Sequence, residues 1–295
     1  MEFRPFTVEL NTPFRSVSSR SGVLIHSRTK TGDDAWGEYA PFSNYTAAQR
    51  NRWWQAAMEA AQGGWPTPVR DKVPVSSIVP EVHAPVAAKY AAIGGCRTAK
   101  VKVGGDSSLR ADALRVEAVA ASLGSGGKIR IDANGAWSVE DAVRSLTELE
   151  MAARRGGLEG LEYVEQPCKT IEELALLRRR VDTLIAADES IRLPEDPMEV
   201  VRAQAADILV LKVAPLGGVR ACMRIAEQTE LPIVVSSAME SSVGLLAGIA
   251  LARALPELPY ACGLGTGALL ATDTVRETIV AKDGMIGDVA VDVTV

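Results

Sequence analysis

From about Ser76 onward the chain repeats one unit: a short apolar or β-branched run, a polar or glycine-rich turn, then an amphipathic helix. That alternation points to a parallel sheet joined by right-handed crossovers. The expected strands are Ser76–Val82, Thr98–Val103, Lys128–Ala133, Leu161–Gln166, Leu184–Asp188, Ile208–Val213, Pro232–Ser237 and Pro259–Gly263. Apolar residues at three- and four-residue spacing predict helices over Ser108–Leu123, Ser138–Arg155, Thr170–Arg180, Gly217–Gln228 and Ser242–Leu255. Polar residues open several of them, and Thr170 with Glu173 has the spacing of a capping box. Eight strands separated by helices fit a closed α/β barrel of the TIM type, with an open doubly wound sheet as the alternative.

The first 70 or so of the 295 residues read differently. Alternating strands around Phe3–Leu10 and Gly22–Ser27 precede a helix at Ala47–Gln62, which Gly63-Gly64-Trp65-Pro66 breaks. The tail Thr274–Val295 returns to short β-like runs around Lys282-Asp283-Gly284. Both termini are expected to form one α+β domain, residues 1–75 joined by 271–295, beside a barrel over 76–270. Trp53, Trp54 and Trp65 are expected to pack it. The stretch 11–20, with Arg15 and Arg20, reads as a loop able to close over a site or as a plain solvated hairpin turn.

Strands of a parallel barrel are buried on both faces, so charges inside them are costly unless they bind something. Lys100, Lys102, Asp132, Glu165, Asp188 and Lys212 all lie near C-terminal strand ends, where barrel active sites sit. Alternation points Lys100 and Lys102 one way, and Arg130, Asp132 and Asn134 likewise. Lys102 falls on the second strand and Lys212 on the sixth, across the barrel from each other. Asp132, Glu165 and Asp188 occupy the three strands between, three hard oxygen ligands suited to Mg²⁺. Each residue alone has a plainer reading: a solvated strand end for a lysine or Glu165, a turn for Asp132, a helix cap for Asp188. One barrel site accounts for all of them together. Arg178-Arg179-Arg180 reads as a solvated helix end, and His26 and His83 carry no role.

Composition narrows the function classes. Thirty-two basic against 37 acidic residues leave a net charge of −5 and no basic face for nucleic acid. Glu2, Arg4 and Glu9 interrupt any secretory segment, and Arg253 ends the most apolar stretch, Val243 to Ala252, short of a bilayer span. Cys96, Cys168, Cys222 and Cys262 form no CxxC pair, so neither a zinc knuckle nor a disulfide framework is expected, and a reduced cytoplasm is. Glycine-rich turns at 217–218 and 263–267 match no phosphate-loop or dinucleotide fingerprint, and no nucleotide cofactor is expected.

The motifs KVK at 100–102, DAN at 132–134, VEQP at 164–167, ADES at 187–190 and LKVAPLGG around Lys212 occur in order over nearly the whole chain. On these residues the sequence resembles the enolase superfamily, in its muconate lactonizing enzyme subgroup. The resemblance implies a capping domain built from both termini and a (β/α)₇β barrel. It implies Lys102 as the base that removes a proton beside a carboxylate, Lys212 on the opposite face, Lys100 lowering the pKa of Lys102, and Mg²⁺ on Asp132, Glu165 and Asp188. Arg130, Asn134 and Glu189 would support those ligands, and Ser236, Ser237, Gly263 and Leu264 would contact the small carboxylate substrate. Within the subgroup, the segments GEYAPFSNY at 37–45 and SSAMESS at 236–242 are similar to menaquinone-pathway dehydratases acting on 2-succinyl-6-hydroxy-2,4-cyclohexadiene-1-carboxylate. N-succinylamino acid racemisation is the alternative, because two opposed lysines can also exchange a proton across one carbon.

Overall fold

The computed structural model describes residues 1–14 and 17–295. Strands β1 (Glu2–Phe14), β2 (Val17–Arg28) and β3 (Asp34–Tyr39) form an antiparallel sheet, and α1 (Ala47–Gln62) packs on it. Most of the stretch read as a loop at 11–20 is therefore strand. Its Arg20 is buried in β2, and Arg15 lies outside the described residues. Thr46 starts α1 with a complete capping box to Gln49. Gly37 lets that helix settle on β3, since a β-carbon there would sit 1.9 Å from the Ala57 carbonyl oxygen. Trp53 is fully buried, whereas Trp54 stays part-exposed beside Phe3 and Tyr39. Trp65 packs on the second, larger domain instead.

That domain begins after β4 (Val73–Pro74). Its parallel strands are β5 (Ser77–Val79), β6 (Thr98–Lys102), β7 (Lys128–Asp132), β8 (Tyr163–Glu165), β9 (Ile185–Ala187), β10 (Ile208–Lys212) and β11 (Ile233–Ser236), hydrogen-bonded in sequence order. Helices α2 (Ala84–Ala91), α3 (Leu109–Leu123), α4 (Val139–Arg155), α5 (Ile171–Arg178), α6 (Glu189–Arg192), α7 (Glu199–Arg202), α8 (Val213–Leu216), α9 (Val219–Glu227) and α10 (Ser242–Ala254) alternate with them. The helices expected from periodicity all form. Ser108, Ser138 and Thr170 cap three of them, Thr170 with the capping box its spacing suggests.

The expected eighth strand is reduced to two isolated parallel bridges, Cys262 to Val75 and Gly263 to Ser236, which tie its segment to both edges of the sheet. The result is an α/β barrel-like fold with a separate N-terminal domain. In the tail, β12 (Met285–Ile286) pairs with β4, and Val293 bridges to Val275. Strand interiors such as Val101, Ile131, Val164 and Leu211 are wholly buried beneath the helices. A second cluster joins Val8, Leu24 and Trp53 of the N-terminal domain to Ile78, Met239 and Val243 of the barrel.

Charges of the N-terminal domain meet helix ends of matching polarity. Glu59 accepts from the Arg220 amide at the start of α9, 3.1 Å. Arg52 donates to the carbonyls of Pro215, Pro194 and Arg192 at 3.0, 3.1 and 2.7 Å, where α8 and α6 end. Among the described residues, no helix is long and apolar enough to cross a membrane. The four cysteines are buried and unpaired.

Candidate active site

Parallel register brings the charged strand ends level. Lys102 pairs with Asp132, and Asp132 with Glu165, as Cα partners on neighbouring strands. Asp188 follows β9 directly, and Lys212 closes β10. Lys100 Nζ lies 2.6 and 2.7 Å from the two Glu165 oxygens and 3.3 Å from Asp132 Oδ2. Lys102 Nζ donates to Asp132 Oδ2 at 2.5 Å and to Asn134 Oδ1 at 2.7 Å, and Lys212 Nζ to Asp188 Oδ2 at 2.7 Å. Each carboxylate accepts a hydrogen bond from one lysine, and Asp132 also has the Lys100 ammonium within ion-pair distance. The plainer readings fail on burial: Glu165 is 1% exposed, and Asp188, at the start of α6, bonds lysine and arginine rather than capping the helix. Asp132 does also close its turn, accepting from the Asn134 amide at 3.0 Å.

The electrostatics follow from burial and from these pairs. Burial alone would favour neutral Lys100, but the charges of Glu165 and Asp132 outweigh it and hold its pKa above the ordinary lysine value. Lys102 moves the opposite way. Burial pulls it down, and repulsion from Lys100 and Lys212 adds to that against the attraction of Asp132. Desolvation, more than the neighbouring lysine, is the main cause. Lys212 is raised, since Asp188 outweighs its burial. Burial lifts Glu165 to about 7, helped by the Asp132 and Asp188 charges and opposed by Lys100. Asp132 and Asp188 lie below the usual carboxylate range despite burial, because of Lys102 and Lys100 at one and Arg192 and Lys212 at the other.

Among the described residues, no three acidic, histidine or cysteine groups converge as they stand closely enough to hold a metal. The donor chemistry nevertheless fits a hard divalent cation. Asp132, Glu165 and Asp188 are close enough for mutual repulsion to raise Glu165, and Glu189 Oε2 is buried with no hydrogen-bond partner. The lysine ammonium groups supply positive charge to these same oxygens.

The supporting residues divide. Asn134 donates to Glu189 Oε1 at 3.1 Å, so both sit beside the carboxylates. Arg130 does not. It points to the barrel interior one layer lower, donating to Glu162 at 2.5 Å and the Ala261 carbonyl at 2.7 Å, with Tyr163 stacked 4.6 Å away. Gln166, with φ +40°, was unmarked within its motif. It accepts the Asp188 and Ser190 amides at 3.0 and 3.1 Å and so fixes the backbone that presents Asp188. Arg192 was also missed, although it lies one helical turn beyond Asp188. It donates to Asp188 Oδ1 at 2.9 Å, to Glu189 Oε1 at 2.6 Å, and to the Tyr45 hydroxyl of the N-terminal domain.

A cavity of about 270 Å³ opens over this cluster, lined by Lys100, Lys102 and Lys212 with Arg20, Phe42 and Met239. Ser236 and Ser237 line it too, as does Thr266, whose hydroxyl is 2.8 Å from that of Ser237. Gly263 and Leu264, expected to contact substrate, are not among the residues lining this cavity. Gly263 spends its amide on Val235 and its carbonyl on Ser237, closing the sheet edge, and Leu264 is buried in the outer core against Gly248. Over the cavity, Arg20 donates to the carbonyls of Ala40 and Met239 and stacks 4.1 Å from the Phe42 ring.

Residues 84–288 match a family model described as enolase C-terminal domain-like, and residues 6–61 one described as enolase N-terminal domain-like. A curated protein of Thermobifida fusca named o-succinylbenzoate synthase is 52% identical over 295 residues, covering 100% of this chain and 89% of its own. One of Mycolicibacterium smegmatis with the same name is 50% identical over 275 residues, covering 92% and 81%. Among solved structures, the L-Ala-D/L-Glu epimerase of Bacillus subtilis superposes with TM-score 0.82 at 23% identity over 99% of this chain and 96% of its own. Muconate cycloisomerase of Pseudomonas fluorescens gives 0.78 at 25% over 98% and 93%.

Proposed function

The chain belongs to the enolase superfamily, among its o-succinylbenzoate synthases, and from that premise we infer a dehydratase that converts 2-succinyl-6-hydroxy-2,4-cyclohexadiene-1-carboxylate to o-succinylbenzoate and water. The observation that carries the mechanism is that Lys102 and Lys212, four strands apart, line one cavity above three buried carboxylates. The racemase alternative is not favoured, since the relatives at about half identity carry the synthase name.

In this reading Lys102 takes the ring proton beside the substrate carboxylate, aided by the burial that lowers its pKa. The electron pair from that C–H bond moves into the ring, the neighbouring C–O bond breaks, and the proton on Lys102 leaves with the hydroxyl as water. Both events occur on one face of the ring. Lys212, kept protonated by Asp188, presents positive charge to the other face. Asp132, Glu165 and Asp188 would hold Mg²⁺, which when bound neutralises charge gathering on the substrate carboxylate. Lys100 stays charged against Glu165, while Asn134 and Glu189 support the ligand set. Ser236, Ser237 and Thr266 offer hydroxyls to the succinyl arm.

The fold is best read as a (β/α)₇β barrel over 76–270, its last strand carried by Cys262 and Gly263, under a cap formed by 1–75 and 271–295. Menaquinone synthesis in the cytoplasm is the setting this chemistry suits, with a small carboxylate as the partner.

The test is Mg²⁺-dependent formation of o-succinylbenzoate, with N-succinyl amino acid racemisation assayed on the same preparation. Fast dehydration supports the reading. Efficient racemisation without dehydration would keep the lysine and metal assignments and overturn the substrate.

A further inference from the structure

We propose that Glu38 is a positioning residue for the reaction: reaching from the N-terminal domain, it holds the start of α10 and, through it, the strained Met239 turn that walls the substrate cavity. The two segments that meet here are GEYAPFSNY and SSAMESS; Ser236 and Ser237 of the second line the cavity, but neither segment supplies a lysine or a metal-holding carboxylate to the chemistry above. Met239 has φ +63°, a left-handed conformation unfavourable for a residue with a long side chain. Such a backbone persists only where its surroundings over-determine it.

Two holds on the turn are local: the Ala238 amide to Glu240 Oε2 at 2.6 Å, and the Met239 amide to Ser237 Oγ at 3.3 Å. The others come from the opposite domain. Arg20 Nε reaches the Met239 carbonyl at 3.4 Å. Glu38, 5% exposed, accepts from the Ser241 amide at 3.1 Å, the Ser241 hydroxyl at 2.5 Å and the Gly244 amide at 3.1 Å. Three donors of the first turn of α10 thus depend on one carboxyl about 200 residues earlier in the chain. Removing it lets the turn relax towards ordinary φ and moves the Met239 wall.

The test is hydrogen exchange over residues 237–244 together with steady-state dehydration kinetics, on wild type, Glu38→Ala, Glu38→Gln, Met239→Gly and the Glu38→Ala/Met239→Gly double variant. Glu38→Ala is expected to deprotect 237–244 and to raise KM about tenfold with kcat within about twofold, the scale of one lost helix cap. Glu38→Gln, which keeps an acceptor oxygen, stays near wild type on both readouts. Glycine adopts φ +63° freely, so the KM penalty of Glu38→Ala falls below about threefold in the Met239→Gly background. Unchanged exchange over 237–244, or an equal KM penalty in both backgrounds, would overturn the proposal. The kinetic arm rests on the dehydratase reading, and a wild type that forms no o-succinylbenzoate defeats that reading alone; exchange then decides the role of Glu38.

Discussion

At the level of single residues, the site is formally neutral: Lys100, Lys102, Lys212 and Arg192 face Asp132, Glu165, Asp188 and Glu189, four charges of each sign. A divalent cation and a substrate with two carboxylates enter such a site as a neutral pair, which avoids burying net charge. Lys102 is the group this arrangement leaves easiest to deprotonate. Lys102→Ala is therefore expected to lower kcat by about 10² to 10⁴ while the far-ultraviolet circular dichroism stays that of the wild type; dehydration within tenfold of wild type would remove it as the base. Asp188 takes two cations on its two oxygens, and Asp188→Asn is expected to weaken Mg²⁺ binding about tenfold or more by calorimetry. Unchanged affinity would strike it from the ligand set. These residues were legible because a charge inside a doubly buried strand demands a partner. Arg130 misled because period-two alternation reports which face a side chain takes but not how far along the barrel it lies. Arg192 escaped because it stands on the helix after its strand, outside the alternation.

At the level of elements, the barrel strands and helices were readable from local pattern, since each buries an apolar set at its own period. The eighth strand was over-read: the segment around Cys262 keeps only two bridges, and Gly263 and Leu264 are consumed by closing the sheet and filling the outer core. The long hairpin was under-read, because β1 and β2 continue through a polar stretch that looks like a loop. The contact of α1 with β3 was not readable at all, since it depends on backbone approach. Gly37 carries that contact, its missing β-carbon leaving room for the Ala57 carbonyl. Gly37→Ala is expected to force the helix off the sheet and to destabilise the protein by about 1–3 kcal/mol or more, read as a lower urea midpoint with unchanged slope. An unaltered midpoint would mean that α1 has slack against the sheet.

At the level of the whole molecule, the two domains are joined through buried acids, which gives folding a pH dependence that surface charges would not. Glu38 is the clearest case. Burial lifts its carboxyl from 4.5 to about 8, with Glu240 pushing further upward and the Ser241 donors and Arg20 pulling back. Burial likewise raises Glu240 and lowers Arg20, so the three groups that face one another across the domain boundary all resist ionising there. A carboxyl with a raised folded-state pKa keeps a proton that the unfolded chain has already lost. The unfolded state then binds fewer protons than the native state, and stability falls as pH rises. The loss begins near 4.5, the unfolded value, and is complete above about 8, with an upper bound of about 5 kcal/mol from this one group. Glutamine copies the neutral acid, keeping an acceptor for Ser241 and Gly244 without the proton. Urea denaturation from about pH 5 to about pH 8.5 should show wild type losing stability relative to Glu38→Gln across that window. Parallel curves would mean that Glu38 is ionised throughout, in which case the N-terminal half-charge of α10 and the Arg20 guanidinium outweigh its desolvation.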